Sequence, residues 1–284
     1  MAARTAIVTD STCNLPPDLA RERGIHVVPL YVVWGDESLR DGIDIHEQEF
    51  YARLRASKDI PKTSQATPQD FVLAFEQARA AANADEVVCA VVSSALSGTY
   101  ASAILAQDMV DFPVQVIDTR QVSWALGHVT LAAADARDNG ASADEIAAAA
   151  RDAAARQQLV FTIDSLEHLK RGGRISSGKL FVGSALNIKP VLVVREGVIE
   201  AVENVRTRKR ALQQLPKVAA DVLDGRQVKR LSVLHADAEA EGRAVLEQAQ
   251  QQFQPEEIMF AYATTVLGVH AGPGAVGLVV EWSA

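Results

Sequence analysis

Residues 91–103 read VVSSALSGTYASA. The run that leads into them, residues 87–92, is apolar and rich in valine, the pattern of a buried strand. It ends against Ser93, Ser94, Ser97 and Thr99, with Gly98 among them, and residues 99–110 then follow a helical pattern. Hydroxyls between a buried strand and a helix start mark the carboxyl edge of a parallel sheet. There, loops lead into helix N-termini whose free N–H groups attract ligands. The same hydroxyls also serve as helix caps, and both readings stand at this point.

Working outward, strand and helix patterns alternate. Residues 5–9 read as a strand, 16–23 as a helix stopped by Gly24, 25–33 as one apolar strand, and 46–57 as a helix. After a turn-like stretch at 61–66, Thr67 is placed to cap a helix with Pro68 in its first turn and Asp70 behind it, running to about Asn83. Residues 114–117 form a strand. Two alanine-rich helices follow, the first ending at Asn139-Gly140 and the second opening with Ser142-Ala143-Asp144-Glu145. This order predicts an α/β domain with a mostly parallel sheet flanked by helices.

The pattern changes near Leu159. A strand at 159–163 leads to a short helix capped around Asp164–Glu167 and broken by Gly172-Gly173. Residues 191–194 and 198–205 flank Glu196-Gly197 as a hairpin, and VRTRKRALQQL begins a helix. A strand at 230–235, a helix at 238–252 and strands at 258–263 and 277–282 complete the chain. Hairpins mixed with α/β units predict a second, smaller, mixed-sheet α/β domain, with residues 1–158 and 159–284 as the two parts and neither a disordered linker nor an internal repeat.

Composition narrows the function. The 284 residues are 48% hydrophobic, enough for a large core, and the formal net charge of −8 opposes a nucleic-acid partner. No apolar stretch approaches membrane-spanning length, and the N-terminal MAARTAIVTDST enters a strand without a signal-peptide core, so a cytoplasmic protein is expected. Cys13 and Cys89 fit neither a disulfide framework nor a zinc spacing, and both are read as reduced thiols. No GxGxxG follows the first strand, and GxxxxGK[ST] and GxSxG are missing altogether, which removes support for a dinucleotide site, a P-loop and a serine-hydrolase elbow.

Three further stretches stand out. KTSQAT (62–67) places hydroxyls just before a helix; the alternative is a loop with its cap. LKRGGRISSG (169–178) sets Arg174 beside Gly-Gly, which reads either as a solvated basic turn or as a fixed guanidinium for a carboxylate or phosphate. GVHAGPGAVG (268–277) holds His270 among small residues that leave packing without an obvious partner, so a ligand contact competes with a structural role. His26, His46, His128, His168 and His235 read as structural or exposed.

Together, TDST with LP following, KTSQ then Pro68, SSALSGTY, VIDT, LKRGGRIS, LNIKPVL, VRTRKRAL and HAGPGAVG resemble the DegV family in order and spacing over nearly the whole chain. The resemblance implies two α/β domains with a lipid between them. It further implies a non-catalytic fatty-acid-binding subunit of a bacterial fatty acid kinase. Such a subunit presents the acid's carboxylate to a separate ATP-dependent kinase subunit, which makes an acyl phosphate for phospholipid synthesis. Carried over by motif, Thr63, Ser93 and His270 would hold the carboxylate with Arg174 beside them, Ser64, Ser94 and Gly98 would support them, and Arg206 would face the kinase. No cofactor or metal is implied, and membrane contact would be at most transient. One departure is Ala66, where the family usually carries proline, which points to a looser loop around Thr63. Two other classes stay open: an enzyme using Ser93 or His270 on a small acidic substrate, and a regulatory binder of another lipid. Val266, Leu267 and residues 180–182 are candidate tunnel walls.

Overall fold

In the computed structural model, which describes residues 4–57, 59–175 and 188–283, every residue of β1 (Thr5–Asp10) is buried. A 3-10 turn (Ser11–Cys13), α1 (Pro17–Glu22) and β2 (Ile25–Val28) follow. The single strand expected at 25–33 is two. Pro29 has no N–H to continue the ladder, so the chain leaves the sheet after Val28 and resumes as β3 (Tyr31–Trp34), which turns back as β4 (Glu37–Arg40). After α2 (Glu47–Ala56), residues expected to be a loop form β5 (Lys62–Ser64) on the other edge of β3, with Thr63 opposite Val32.

The next elements fall where the sequence pattern puts them: α3 (Pro68–Ala82), β6 (Glu86–Val91), α4 (Thr99–Gln107), β7 (Val114–Asp118), α5 (Trp124–Asp138) and α6 (Ala143–Ala155). Both predicted capping boxes form, Thr67 with Asp70 and Ser142 with Glu145. Each satisfies N–H groups that a helix start otherwise leaves unpaired.

The remainder comprises β8 (Gln157–Thr162), α7 (Glu167–Gly172), β9 (Lys189–Arg195), β10 (Val198–Val205), α8 (Arg208–Leu223), β11 (Val228–His235), α9 (Glu239–Phe253), β12 (Glu257–Tyr262), α10 (Thr265–Ala271) and β13 (Val276–Trp282). The hairpin at Glu196-Gly197 is present, with φ of 49° and 80° at its two central residues, as a turn matched to strand twist requires.

Among the described residues the strands form three sheets. The first is wholly parallel in the order β2-β1-β6-β7, the second is mixed in the order β10-β9-β8-β13-β11-β12, and the third is the small antiparallel β4-β3-β5. The molecule is therefore two α/β units, one with a parallel and one with a mixed sheet.

Helix α5 explains how they join. Residues from Trp124 to Leu131 are all buried, so the first two turns of this helix have no solvent face and form a core layer. It packs on β1 and β6 on one side and on β8, β11 and β13 on the other. The same contact carries buried charge: Arg230 of β11 binds Asp135 of α5, Glu257 at 3.0 Å and Glu281 at 3.2 Å. A second core, including Leu215, Ala219, Val245 and Ala249, lies under α8 and α9 on the far face of the mixed sheet. No helix of the described residues is long and apolar enough to cross a membrane.

Candidate functional site

The parallel sheet brings three chain segments to one edge, and Asp10 ties two of them. Its carboxylate accepts from the Thr12 amide at 2.9 Å, the Thr12 hydroxyl at 2.6 Å and the Val92 amide at 2.7 Å. Thus the TDST motif fixes both its own turn and the start of the hydroxyl-rich loop after β6. Asp118, from VIDT at the end of β7, receives the Ser94 amide at 3.1 Å and the Ser94 hydroxyl.

Between this edge and the mixed sheet lies an apolar cavity of about 120 Å³. The parallel unit contributes Leu30, Val92, Leu96 and Val122; the mixed unit contributes Leu159, Phe161, Ile199 and Leu234, with Leu169 from α7 and Val266 and Leu267 from α10. Residues 180–182 lie outside the described residues, as does part of LNIKPVL.

Polar groups on the wall are few, and three of them converge. Thr63 Oγ1 and His270 Nε2 are 2.8 Å apart. Arg174 donates from Nε to the Leu96 carbonyl at 3.0 Å and from Nη1 to the Gly172 carbonyl at 2.5 Å, so the guanidinium is held by backbone rather than free in solvent. Gly172 approaches His270 so closely that an added Cβ would lie 2.4 Å from Nδ1. Burial pushes the His270 imidazole down to about 4, with the Arg174 and His168 charges adding to it, so the ring is neutral at physiological pH. Its Nδ1 has no hydrogen-bond partner among the described residues. The arrangement offers one cation and two neutral hydrogen-bonding groups beside an apolar channel, which suits a small anion carrying a hydrocarbon tail.

A family model described as "Uncharacterised protein, DegV family" matches residues 4–282. The chain belongs to the DegV family. A DegV domain-containing protein of Streptomyces coelicolor is 36% identical, covering 99% of each chain. Among solved structures, a DegV family protein from Thermus thermophilus, described for its fatty acid binding, superposes with a TM-score of 0.91 at 33% identity over 99% of this chain and 100% of that one. The crystal structure of DegV, a fatty acid binding protein from Bacillus subtilis, gives 0.90 at 31% identity with the same coverage.

In this DegV-family chain, Thr63, Arg174 and His270 share the cavity wall, whereas Ser93 does not line it. The Ser93 side chain is fully buried, and its hydroxyl donates to the Gly197 carbonyl at 2.7 Å, seating the β9–β10 hairpin on the loop after β6. Ser64 is exposed and bonds the Gln65 carbonyl, and Ser94 is exposed and turned toward Asp118. Gly98 serves an approach: a Cβ there would lie 2.0 Å from Gln65 Oε1, and that amide reaches Ser102 at 2.9 Å. The loop bearing Thr63 is thereby held from α4, and Ala66 is fully buried within it. Arg206 is exposed beside Thr207 and Arg210 at the end of β10.

The glycines around His270 are themselves packing positions, contrary to the expectation that they leave packing without a partner. His270 lies in the last turn of α10, an element missed in the sequence because a helix of seven residues is too short to show a period. A Cβ on Gly268 would meet Phe50 and Tyr51 at 2.6 Å, and one on Gly272, at φ 72°, would meet His168 at 2.6 Å. Asp41 was also missed. It is buried, accepts from Ser11 at 2.7 Å, and anchors the start of α10 through the Thr265 amide at 3.0 Å and hydroxyl at 2.6 Å. Nothing around Asp41 in the sequence marks it, since its partners lie on remote segments.

Proposed function

We propose that this chain binds a long-chain fatty acid, its tail in the apolar cavity and its carboxylate on Thr63, His270 and Arg174. The observation that carries the reading is the Thr63–His270 pair beside a backbone-anchored arginine on the wall of an otherwise apolar cavity. The relatives described as fatty acid binding share the fold over the whole chain and support the same reading.

Energetics divide the work. Burying about 16 methylene-sized groups at ~0.8 kcal/mol each contributes roughly 12 kcal/mol gross, before the entropy of association. Two charge-assisted hydrogen bonds add about 3–6 kcal/mol. The tail accounts for retention, and the head group fixes where the carboxylate points. A carboxylate so placed, in a chain with no nucleotide-binding motif of its own, suits presentation to a separate ATP-dependent kinase subunit that converts it to an acyl phosphate for phospholipid synthesis in the cytoplasm. In this scheme the chain needs no cofactor and performs no chemistry alone, and Arg206 belongs to the surface that meets the kinase. Ser93 supports the loop; a direct bond from Ser93 to the carboxylate requires its hydroxyl to leave Gly197.

The test is mass spectrometry of gently purified protein, followed by denaturing extraction. A stoichiometric fatty acid is expected, and with a cognate kinase and ATP it should yield acyl phosphate. Protein that is empty and takes up neither palmitate nor oleate would refute the binding role; bound acid that no kinase phosphorylates would refute the presenting role.

A further inference from the structure

Ser123 directly precedes α5 and lines the cavity. Its backbone sits at φ 64° and ψ −149°, a region essentially reserved for glycine. Its side chain is buried at 2% exposure, and its hydroxyl has no hydrogen-bond partner among the described residues. A serine here carries two penalties. Glycine would relieve the backbone strain, and alanine would remove the desolvated hydroxyl. No described contact within the chain offsets either.

Thr12 lines the same cavity from the 3-10 turn against which α5 packs. Its hydroxyl already donates to Asp10 at 2.6 Å, so what it has left to offer is an acceptor. Ser123 can donate. Together they present one donor and one acceptor, while Val122, next to Ser123, and Leu30 and Val92 supply apolar wall of the same cavity. The described hydrogen bonds of Thr63, His270 and Arg174 run to one another, to Leu96 and to Gly172, and not to Ser123 or Thr12.

We propose that Ser123 and Thr12 form a polar subsite in the tunnel wall for an oxygen substituent on the acyl chain. A chain hydroxyl would accept from Ser123 and donate to Thr12, so that a hydroxylated long-chain acid binds in preference to the unsubstituted acid of equal length. The proposal rests on the fatty-acid reading above.

The experiment is displacement of a fluorescent fatty acid from the whole protein by stearic acid and by monohydroxystearic acids with the hydroxyl moved stepwise along the chain. It is run on wild type, Ser123→Ala and Ser123→Gly. One isomer, or two neighbouring ones, should bind wild type at least about tenfold tighter than stearic acid, the two added hydrogen bonds being set against desolvation of the chain hydroxyl. Both variants should lose that preference while binding stearic acid at least as well. A wild-type series with no favoured isomer overturns the subsite, as does a preference that survives in either variant. The wild-type series decides alone if a variant fails to fold. Failure of stearic acid and every isomer to bind wild type would instead overturn the fatty-acid reading, and the subsite with it.

Discussion

Thr63 and His270 stand 207 residues apart in sequence, yet their side chains meet at 2.8 Å on the cavity wall. Thr63 is fixed by the pairing of β5 with β3, and His270 by α10, whose first turn hangs on Asp41. The contact therefore reports on the assembly of the small antiparallel sheet, the 3-10 turn and α10 at once.

Head and tail should separate in mutants. Thr63→Ala and His270→Ala each remove one head-group bond and should weaken fatty acid binding about tenfold, leaving lipid still extractable. Leu169→Asp or Phe161→Asp places an unpaired charge in the apolar wall and should abolish binding. Fluorescent fatty acid displacement measures both. Head-group variants as empty as the tunnel variants would show that the tail does not govern retention.

Gly172→Ala should act on His270 rather than on α7. The new Cβ would lie 2.4 Å from Nδ1, so the ring must turn away and release Thr63. Affinity should drop about as far as in Thr63→Ala, and combining the two should cost little more than either alone. Additive losses would place the effect elsewhere.

Stability should respond to pH through two buried groups of opposite sign. Burial pushes Asp41 up to about 6 from an ordinary 3.8. The folded chain holds that proton more tightly, so this contribution is full below 3.8 and lost as pH rises through about 6. His270, lowered to about 4 from 6.5, favours the neutral ring; its contribution is full above 6.5 and lost as pH falls through about 4. Relative to wild type, Asp41→Asn should gain stability as pH rises across this window, and His270→Gln should gain as pH falls. Urea denaturation at several pH values checks both, and curves parallel to wild type would refute the assignments.

Arg230→Leu should destabilise by about 3–5 kcal/mol, because it strands Glu281 as a buried, uncompensated charge. The loss should be largely insensitive to salt, since the cluster is screened poorly by solvent ions. Denaturation at low and high salt measures it. A loss below about 1 kcal/mol would mean the cluster is worth no more than a surface pair.

Local order was legible in the sequence wherever neighbouring residues decide the outcome. The capping boxes at Thr67 and Ser142 and the hairpin at Glu196-Gly197 satisfy their own backbone groups within a few residues, and the buried strand before Ser93 shows itself by an unbroken apolar run. Strand and helix alternation then limits the chain to a parallel sheet followed by a mixed one, because connections are short and helices must cover sheet faces. Tertiary structure alone decided that residues 62–64 pair with β3, that the first two turns of α5 lose every solvent face, and that Asp41 anchors α10. It also decided which hydroxyls reach the cavity: Thr63 and Ser123 line it, while Ser93 donates to a hairpin more than a hundred residues away. Spacing cannot foretell such choices, because a hydroxyl bonds whatever acceptor the packed chain brings within about 3 Å, and that neighbour is set by contacts between segments distant in sequence.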